Sequence, residues 1–187
     1  MRNLVFLVEE LSARELLVGL LPRLLPGDVA VHYLIFEGKQ DLEKQLVRKI
    51  RGWNRSNSVF VVLRDQDAAE CRTVKGKLLS LAEESGRRPV LVRVACKELE
   101  SWIVGDWEAV AQAFGRPQLA QQARKATYRE PDILVRPVES LRKFIPDYQK
   151  VSGARKVGPL LDPERNRSRS FQVFCTGIRK LLGETKA

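Results

Sequence analysis

Four short runs of β-branched and aliphatic residues recur through the first half of the chain: LVFLV (4–8), VAVHYLIF (29–36), VFVVL (59–63) and VLVRV (90–94). Three of them are almost continuously apolar instead of alternating, which suits strands covered on both faces, as in a parallel sheet. Helical periodicity fills the gaps. Leu16, Leu17, Leu20, Leu21, Leu24 and Leu25 form one stripe, opened by Ser12 and Glu15 as a capping box, kinked at Pro22 and closed by Pro26-Gly27. Leu42, Leu46, Val47 and Ile50 form a second, with Lys44, Arg48, Lys49 and Arg51 facing out, and Leu78, Leu79 and Ala82 a third that ends at Gly86. A β-α-β-α-β-α-β order of this kind implies an α/β, Rossmann-like architecture. Its sheet would be open, four-stranded and mostly parallel, with flanking helices.

Beyond residue 96 no further strand is expected. ELESWIV and DWEAVAQAF read as two helices separated by Gly105-Asp106, with Asp106 as the N-cap of the second. Pro117, Pro131, Pro137, Pro146, Pro159 and Pro163 break residues 115–165 into short helices and loops. FQVFCTGIRKLL then places Phe171, Phe174, Cys175, Ile178, Leu181 and Leu182 on one helical face. The chain therefore divides into an α/β domain over 1–117 and a mainly helical extension over 118–187, packed on the same domain.

Charge follows the same division. The net charge is +10, and residues 1–117 hold 18 Lys/Arg against 16 Asp/Glu while residues 118–187 hold 15 against 7, so +8 of the excess is C-terminal. A one-sided basic excess is the footprint of a polyanionic partner, most often nucleic acid, and Arg165, Arg167 and Arg169 are the candidate contacts; the plain alternative is a well-solvated basic surface. No stretch reaches the roughly 18–20 apolar residues of a membrane span, and MRNLVFLVEE meets glutamates too early for a signal peptide, so a cytoplasmic location is expected. Cys71, Cys96 and Cys175 are far apart in sequence and odd in number, which supports neither a disulfide framework nor a CxxC site; they read as buried thiols.

Open parallel sheets bind ligands beyond the carboxyl ends of their strands. Here strand one runs into Glu9-Glu10, strand two into Glu37-Gly38-Lys39, strand three into Asp65-Gln66-Asp67, and strand four leads to Glu98 and Glu100. If the strands are parallel, all of these acids share one edge, where they repel one another unless a cation neutralises them. Oxygen-rich, histidine-free sets of this kind suit Mg²⁺ or Mn²⁺. Each acid also has a plainer role: Asp65 or Asp67 as a turn cap, Glu9 or Glu10 as a solvated charge at a helix entry. Glu98 and Glu100 lie on opposite sides of a helix if both are helical, so at most one would face the site. Other chemistries lose ground. The sole histidine, His32, sits inside strand two as a packed residue, which disfavours Ser-His-Asp and Cys-His catalysis. Gly153–Gly158 lacks the Lys-Ser/Thr of a phosphate loop, no GxGxxG follows a strand, and Trp53, Trp102 and Trp107 at helical positions read as core before base-stacking platforms.

A glutamate after the first strand and an aspartate pair after the third, in a small α/β domain, resemble the Toprim (topoisomerase-primase) fold. VEELSARELL, FEGKQDLEKQL, VVLRDQDAAEC and VRVACKELESWIVGD, with NRSRSFQVF near the end, are together similar to a small standalone Toprim-like family of bacterial proteins of unknown function, across nearly the whole chain. The resemblance implies Mg²⁺ held by Glu9, Asp65 and Asp67 and used to cleave or join phosphodiesters. Nucleases of the overcoming-lysogenisation-defect type are similar and add a later acid, which would be Glu100 or Glu98. Glu9-Glu10 stands where Toprim domains have Glu-Gly, and those nucleases carry an ATPase domain that has no counterpart here; a separate ATPase subunit and a role in phage defence would fit. The expectation is a Mg²⁺- or Mn²⁺-dependent nuclease-like protein, with Lys39 neutralising transition-state charge and Glu98 or Glu100 helping to hold a second ion. The alternatives are a non-catalytic nucleic-acid-binding or regulatory subunit and a small-molecule phosphohydrolase.

Overall fold

In the computed structural model, which describes residues 2–183, the four apolar runs are the strands β1 (Arg2–Val8), β2 (Val29–Ile35), β3 (Ser58–Asp65) and β4 (Val90–Ala95). They form one all-parallel sheet in the order β2-β1-β3-β4. Successive side chains of a strand point to opposite faces. On the two central strands, Leu4, Phe6, Val8, Val61 and Leu63 therefore join one core layer, and Val5, Leu7, Phe60 and Val62 the other. Burial on both faces is why the runs are unbroken.

Helices α2 (Lys39–Arg51) and α3 (Cys71–Glu84) cover the smaller layer with Leu42, Leu46, Ile50, Val74, Leu78 and Ala82. The expected stripe on α3 is shifted: Leu79 is 38% exposed and Val74 takes the inward position. The larger layer is covered by α1 (Leu11–Leu20), α4 (Leu99–Val104), α5 (Trp107–Ala113), α6 (Pro137–Arg142), α7 (Lys150–Val157) and α8 (Arg169–Leu181). Trp102, Trp107, Phe171 and Phe174 are fully buried there, each stabilising the fold by roughly 2 kcal/mol or more. Residues on both sides of position 117 belong to this one continuous cluster.

Two local expectations are corrected. Helix α1 begins at Leu11 with Glu10 at the N-cap, and Ser12 Oγ donates to Glu10 Oε1 at 2.5 Å instead of capping backbone amides. Glu15 is buried and pairs with Arg14 and, at 2.5 Å, with Arg155 of α7, so it fastens α1 to the C-terminal region. At Pro22 the helix passes into a single 3-10 turn over Leu21–Arg23.

The NRSRSFQVF segment has a structural role that follows from its hydrogen bonds. Asn166, buried, donates from Nδ2 to the Trp102 carbonyl at 2.7 Å and accepts the Ser168 amide at 2.8 Å, while the Arg167 amide donates to the Gly105 carbonyl at 3.0 Å. Gly105 is required by this approach, since a Cβ there would lie 2.2 Å from Asn166 Oδ1. Ser168 caps α8, and Ser170 Oγ accepts the Trp102 indole N–H at 2.8 Å and the Cys96 amide at 3.2 Å. The segment thus clamps α4 and the end of β4, which carry the later acids.

Candidate active site

The parallel register brings the strand ends together as sheet topology requires: Val8 pairs with Ile35 and Leu63, and Asp65 with Ala95. Glu9 leaves β1 toward β3, and its Oε2 accepts the Asp65 amide at 3.1 Å. The carboxylate of Asp65 turns toward α4 and accepts the Leu99 amide on Oδ1 at 3.0 Å. Asp67 sits in the left-handed region at φ 58, a conformation that non-glycine residues adopt at a cost, its amide bonded to the Lys97 carbonyl at 3.0 Å. Its Oδ2 accepts from Lys39 Nζ at 2.9 Å, so the lysine expected beside the site meets the aspartate pair directly.

Sequence reasoning missed two cations. Arg64, only 5% exposed, places NH1 2.6 Å from Glu43, Nε 3.7 Å from Glu9 and NH2 3.9 Å from Asp67. An arginine alternating with buried β3 residues, directly before two aspartates, was the available signal. Lys150, the first residue of α7, brings Nζ to 3.7 Å from Glu10, 3.6 Å from Glu98 and 3.5 Å from Glu100. No signal in the primary sequence links it to Glu98 and Glu100, about fifty positions earlier, or to Glu10, 140 positions earlier.

Both later acids therefore face the same cation; the limit to one applied only if both were helical, and Glu98 is not. Glu98 is the extended N-cap of α4 (φ −133°, ψ 163°), so helical angular spacing does not separate it from Glu100. Glu100 is fully buried, and neither carboxylate oxygen has a hydrogen-bond partner. Glu9 and Glu10 diverge, the first toward Arg64 and Asp65, the second toward Ser12 and Lys150.

The electrostatic consequence is uniform in sign. Burial, followed by repulsion from Glu100 and Glu9, pushes Asp65 well above the carboxylate range. Burial raises Glu9 as well; the Asp65 amide opposes it and Asp67 reinforces it. Glu100 rises to about 7 through burial, with Lys150 pulling the other way. Burial would discharge Lys150, yet Glu100, Glu10, Asp65 and Glu98 outweigh it and hold the ammonium. Acids held against their preference in this way are relieved by an added cation.

The donor set fits a hard divalent cation by its chemistry: oxygen ligands throughout, and a fully buried carboxylate in Glu100 with no hydrogen bond on either oxygen and only the Lys150 ammonium beside it. Among the described residues, no three His, Cys, Asp or Glu side chains converge on one point as a formed metal cluster. Glu9 and Asp67 are instead turned to the Asp65 amide and to Lys39. Holding an ion would require these two side chains to swing from those partners.

The other expected contacts are placed as follows. Arg165 binds Asp106 in a two-pronged pair at 2.8 and 2.9 Å, which spends its guanidinium on the fold. Arg167 donates to the Ala123 carbonyl. Arg169 opens α8 and lines a cleft with Lys75 and Arg93. Trp102 and Trp107 are core, whereas Trp53 is half-buried against His32, and His32 lies part-exposed on edge strand β2, hydrogen-bonded to Asn3 at 2.9 Å.

Residues 8–179 match the family described as "Domain of unknown function (DUF4276)". The chain belongs to this family. No curated protein matches it. Among solved structures it is similar to the C-terminal region of the Burkholderia pseudomallei OLD protein, with a TM-score of 0.58 and 17% identity over 97% of this chain and 98% of that one. At this identity the likeness establishes the α/β fold. Among the described residues no helix is long and apolar enough to cross a membrane.

Proposed function

We propose that the carboxyl edge of the sheet binds Mg²⁺ or Mn²⁺ and cleaves nucleic-acid phosphodiesters, a Toprim-like activity. The observation that carries this reading is the gathering of Glu9, Asp65, Asp67, Glu98 and Glu100 at successive strand ends, with Glu9, Asp65 and Glu100 raised by burial. A purely structural role would not leave the buried Glu100 carboxylate without a hydrogen bond. When bound, the ion would polarise the phosphoryl oxygen and promote formation of the nucleophile. Glu9, Asp65 and Asp67 would hold it, with Glu100 or Glu98 on the α4 side. Lys39 and Lys150 flank the acids and supply positive charge toward a phosphate and its departing oxygen. The basic C-terminal part, through Arg167 and Arg169, would hold the backbone, and Arg165 contributes through Asp106 by shaping that region. A separate ATPase partner and a role in phage defence enter through the resemblance alone.

The test is incubation of purified protein with DNA and RNA in Mg²⁺ or Mn²⁺. Glu9→Gln is expected to abolish cleavage while leaving backbone binding, and Glu10→Gln to reduce it much less, because Glu10 points to Lys150. Robust metal-dependent activity in both variants would remove the catalytic centre from this edge. One observation favours a second reading, a non-catalytic nucleic-acid-binding subunit: Lys150 already compensates Glu10, Glu98 and Glu100 with its own charge. Nucleic-acid binding that steepens with falling salt, without cleavage in any metal, would select it.

A further inference from the structure

Two of the three thiols, expected to be isolated and buried, are neither. Cys71 Sγ and Cys96 Sγ lie 3.5 Å apart, both part-exposed, while Cys175 is buried on the inner face of α8. Their positions in the fold are specific. Cys71 is the first residue of α3, directly after the loop that carries Asp65 and Asp67. Cys96 follows the last residue of β4 and precedes the Lys97–Glu98 turn into α4. These two loops already touch through the Gln66 amide on the Ala95 carbonyl at 2.9 Å and the Asp67 amide on the Lys97 carbonyl at 3.0 Å. The sulfurs face a cleft of about 200 Å³ lined by Lys75, Arg93, Asp132, Arg169 and Ser170, so small molecules reach them, and its three cations against one carboxylate favour an acidic one.

We propose that Cys71 and Cys96 are an oxidisable dithiol, converted to a disulfide by exchange with a small acidic disulfide entering this cleft, and that the bond fixes the Asp65–Asp67 loop to the turn bearing Glu98 and Glu100. The sulfurs need to approach from 3.5 Å to a bond of about 2.05 Å, a displacement within reach of two adjoining loops. In the first step Cys71 gives its proton to solvent, and its sulfur, as thiolate, attacks one sulfur of the small disulfide. That S–S bond breaks, one half leaves as a thiolate and is protonated, and Cys71 carries the other half. Cys96, whose sulfur lies 3.5 Å from that of Cys71, acts second. It then gives its proton to solvent, its electron pair forms the bond to Cys71 Sγ, and the second half departs as a thiolate and is protonated. Two protein thiols are oxidised, and one small disulfide is reduced to two thiols.

Only the functional consequence rests on the metal-edge reading, because the test needs neither ion nor substrate. Full-length protein is equilibrated with oxidised glutathione as the probe, alkylated, digested and mapped by mass spectrometry, with amide hydrogen exchange followed in parallel. The expected result is a Cys71–Cys96 crosslink that dithiothreitol reverses, with Cys175 still a thiol, and exchange of residues 66–71 and 96–100 slowed several-fold. Cys71→Ser is expected to form no crosslink and to exchange as the reduced protein does. Stable mixed disulfides with glutathione, or two thiols that remain alkylatable, would overturn the pair as a redox site. A crosslinked protein whose exchange in both loops matches the reduced form would overturn the coupling. Failure of the nuclease reading appears elsewhere, as reduced protein that binds no divalent ion.

Discussion

Glu100 and Asp106, six positions apart, are two buried acids that the fold treats in opposite ways. Asp106 caps α5 through the Ala109 amide at 3.1 Å, accepts the Asp162 amide at 3.0 Å and binds Arg165 with both oxygens. The Glu100 side chain is as fully buried, yet it has no hydrogen-bond partner on either oxygen and only the Lys150 ammonium at 3.5 Å. A buried charge is tolerated when hydrogen bonds and a counter-charge replace water, and it costs stability when they do not. Asp106 therefore belongs to the architecture. Glu100, with Asp65 and Glu9 raised beside it, costs the fold energy that the Lys150 ammonium offsets only in part.

Titration breaks or sharpens this contrast with the largest effect. A carboxyl raised from 4.5 to about 7 keeps in the folded state a proton that the unfolded chain has released, so stability falls as pH rises through that window. At about 1.4 kcal/mol per pH unit, Glu100 accounts for a loss of about 3 kcal/mol between those limits. Glu100→Gln should therefore be more stable than wild type by about that amount at pH 8 and indistinguishable from it near pH 4, measured by urea unfolding across pH. Equal stability at both pH values would mean that Glu100 is solvated.

The matching change at the other acid should have the opposite sign. Asp106→Ala removes a cap, an amide acceptor and the Arg165 partner, and should cost about 2 kcal/mol at neutral pH, part of the arginine's loss being recovered in water because Arg165 is itself partly exposed. A midpoint unchanged in urea would reduce the comparison to one of exposure. The smallest effect is expected at Lys39, whose pair with Asp67 is open to solvent on both sides. Lys39→Ala should move stability by about 0.5 kcal/mol or less, and a loss several times greater would make that pair structural.

The sheet was legible because uninterrupted apolar runs have few other uses, and the parallel order then placed Glu9, Asp65 and Asp67 without further information. Asp106 was legible too, since Gly-Asp between two helical patterns is local chemistry. What escaped was set by tertiary contact. Lys150 lies in a proline-broken region whose path depends on the Asn166 clamp and on Glu15 pairing with Arg155. Cys71 and Cys96 are neighbours only because β3 and β4 pair in parallel. The helical spacing weighed for Glu98 and Glu100 does not apply, because Glu98 precedes the helix as its cap.

The central claim is that the carboxylates gathered at this sheet edge bind a divalent cation, and calorimetric titration with Mn²⁺ tests it most directly. Wild-type protein is expected to bind, and Asp65→Asn with Asp67→Asn to lose that binding while unfolding no earlier in urea, since removing both charges relieves repulsion on Asp65 from Glu100 and Glu9. Equal Mn²⁺ affinity in the wild type and the double variant would contradict the account.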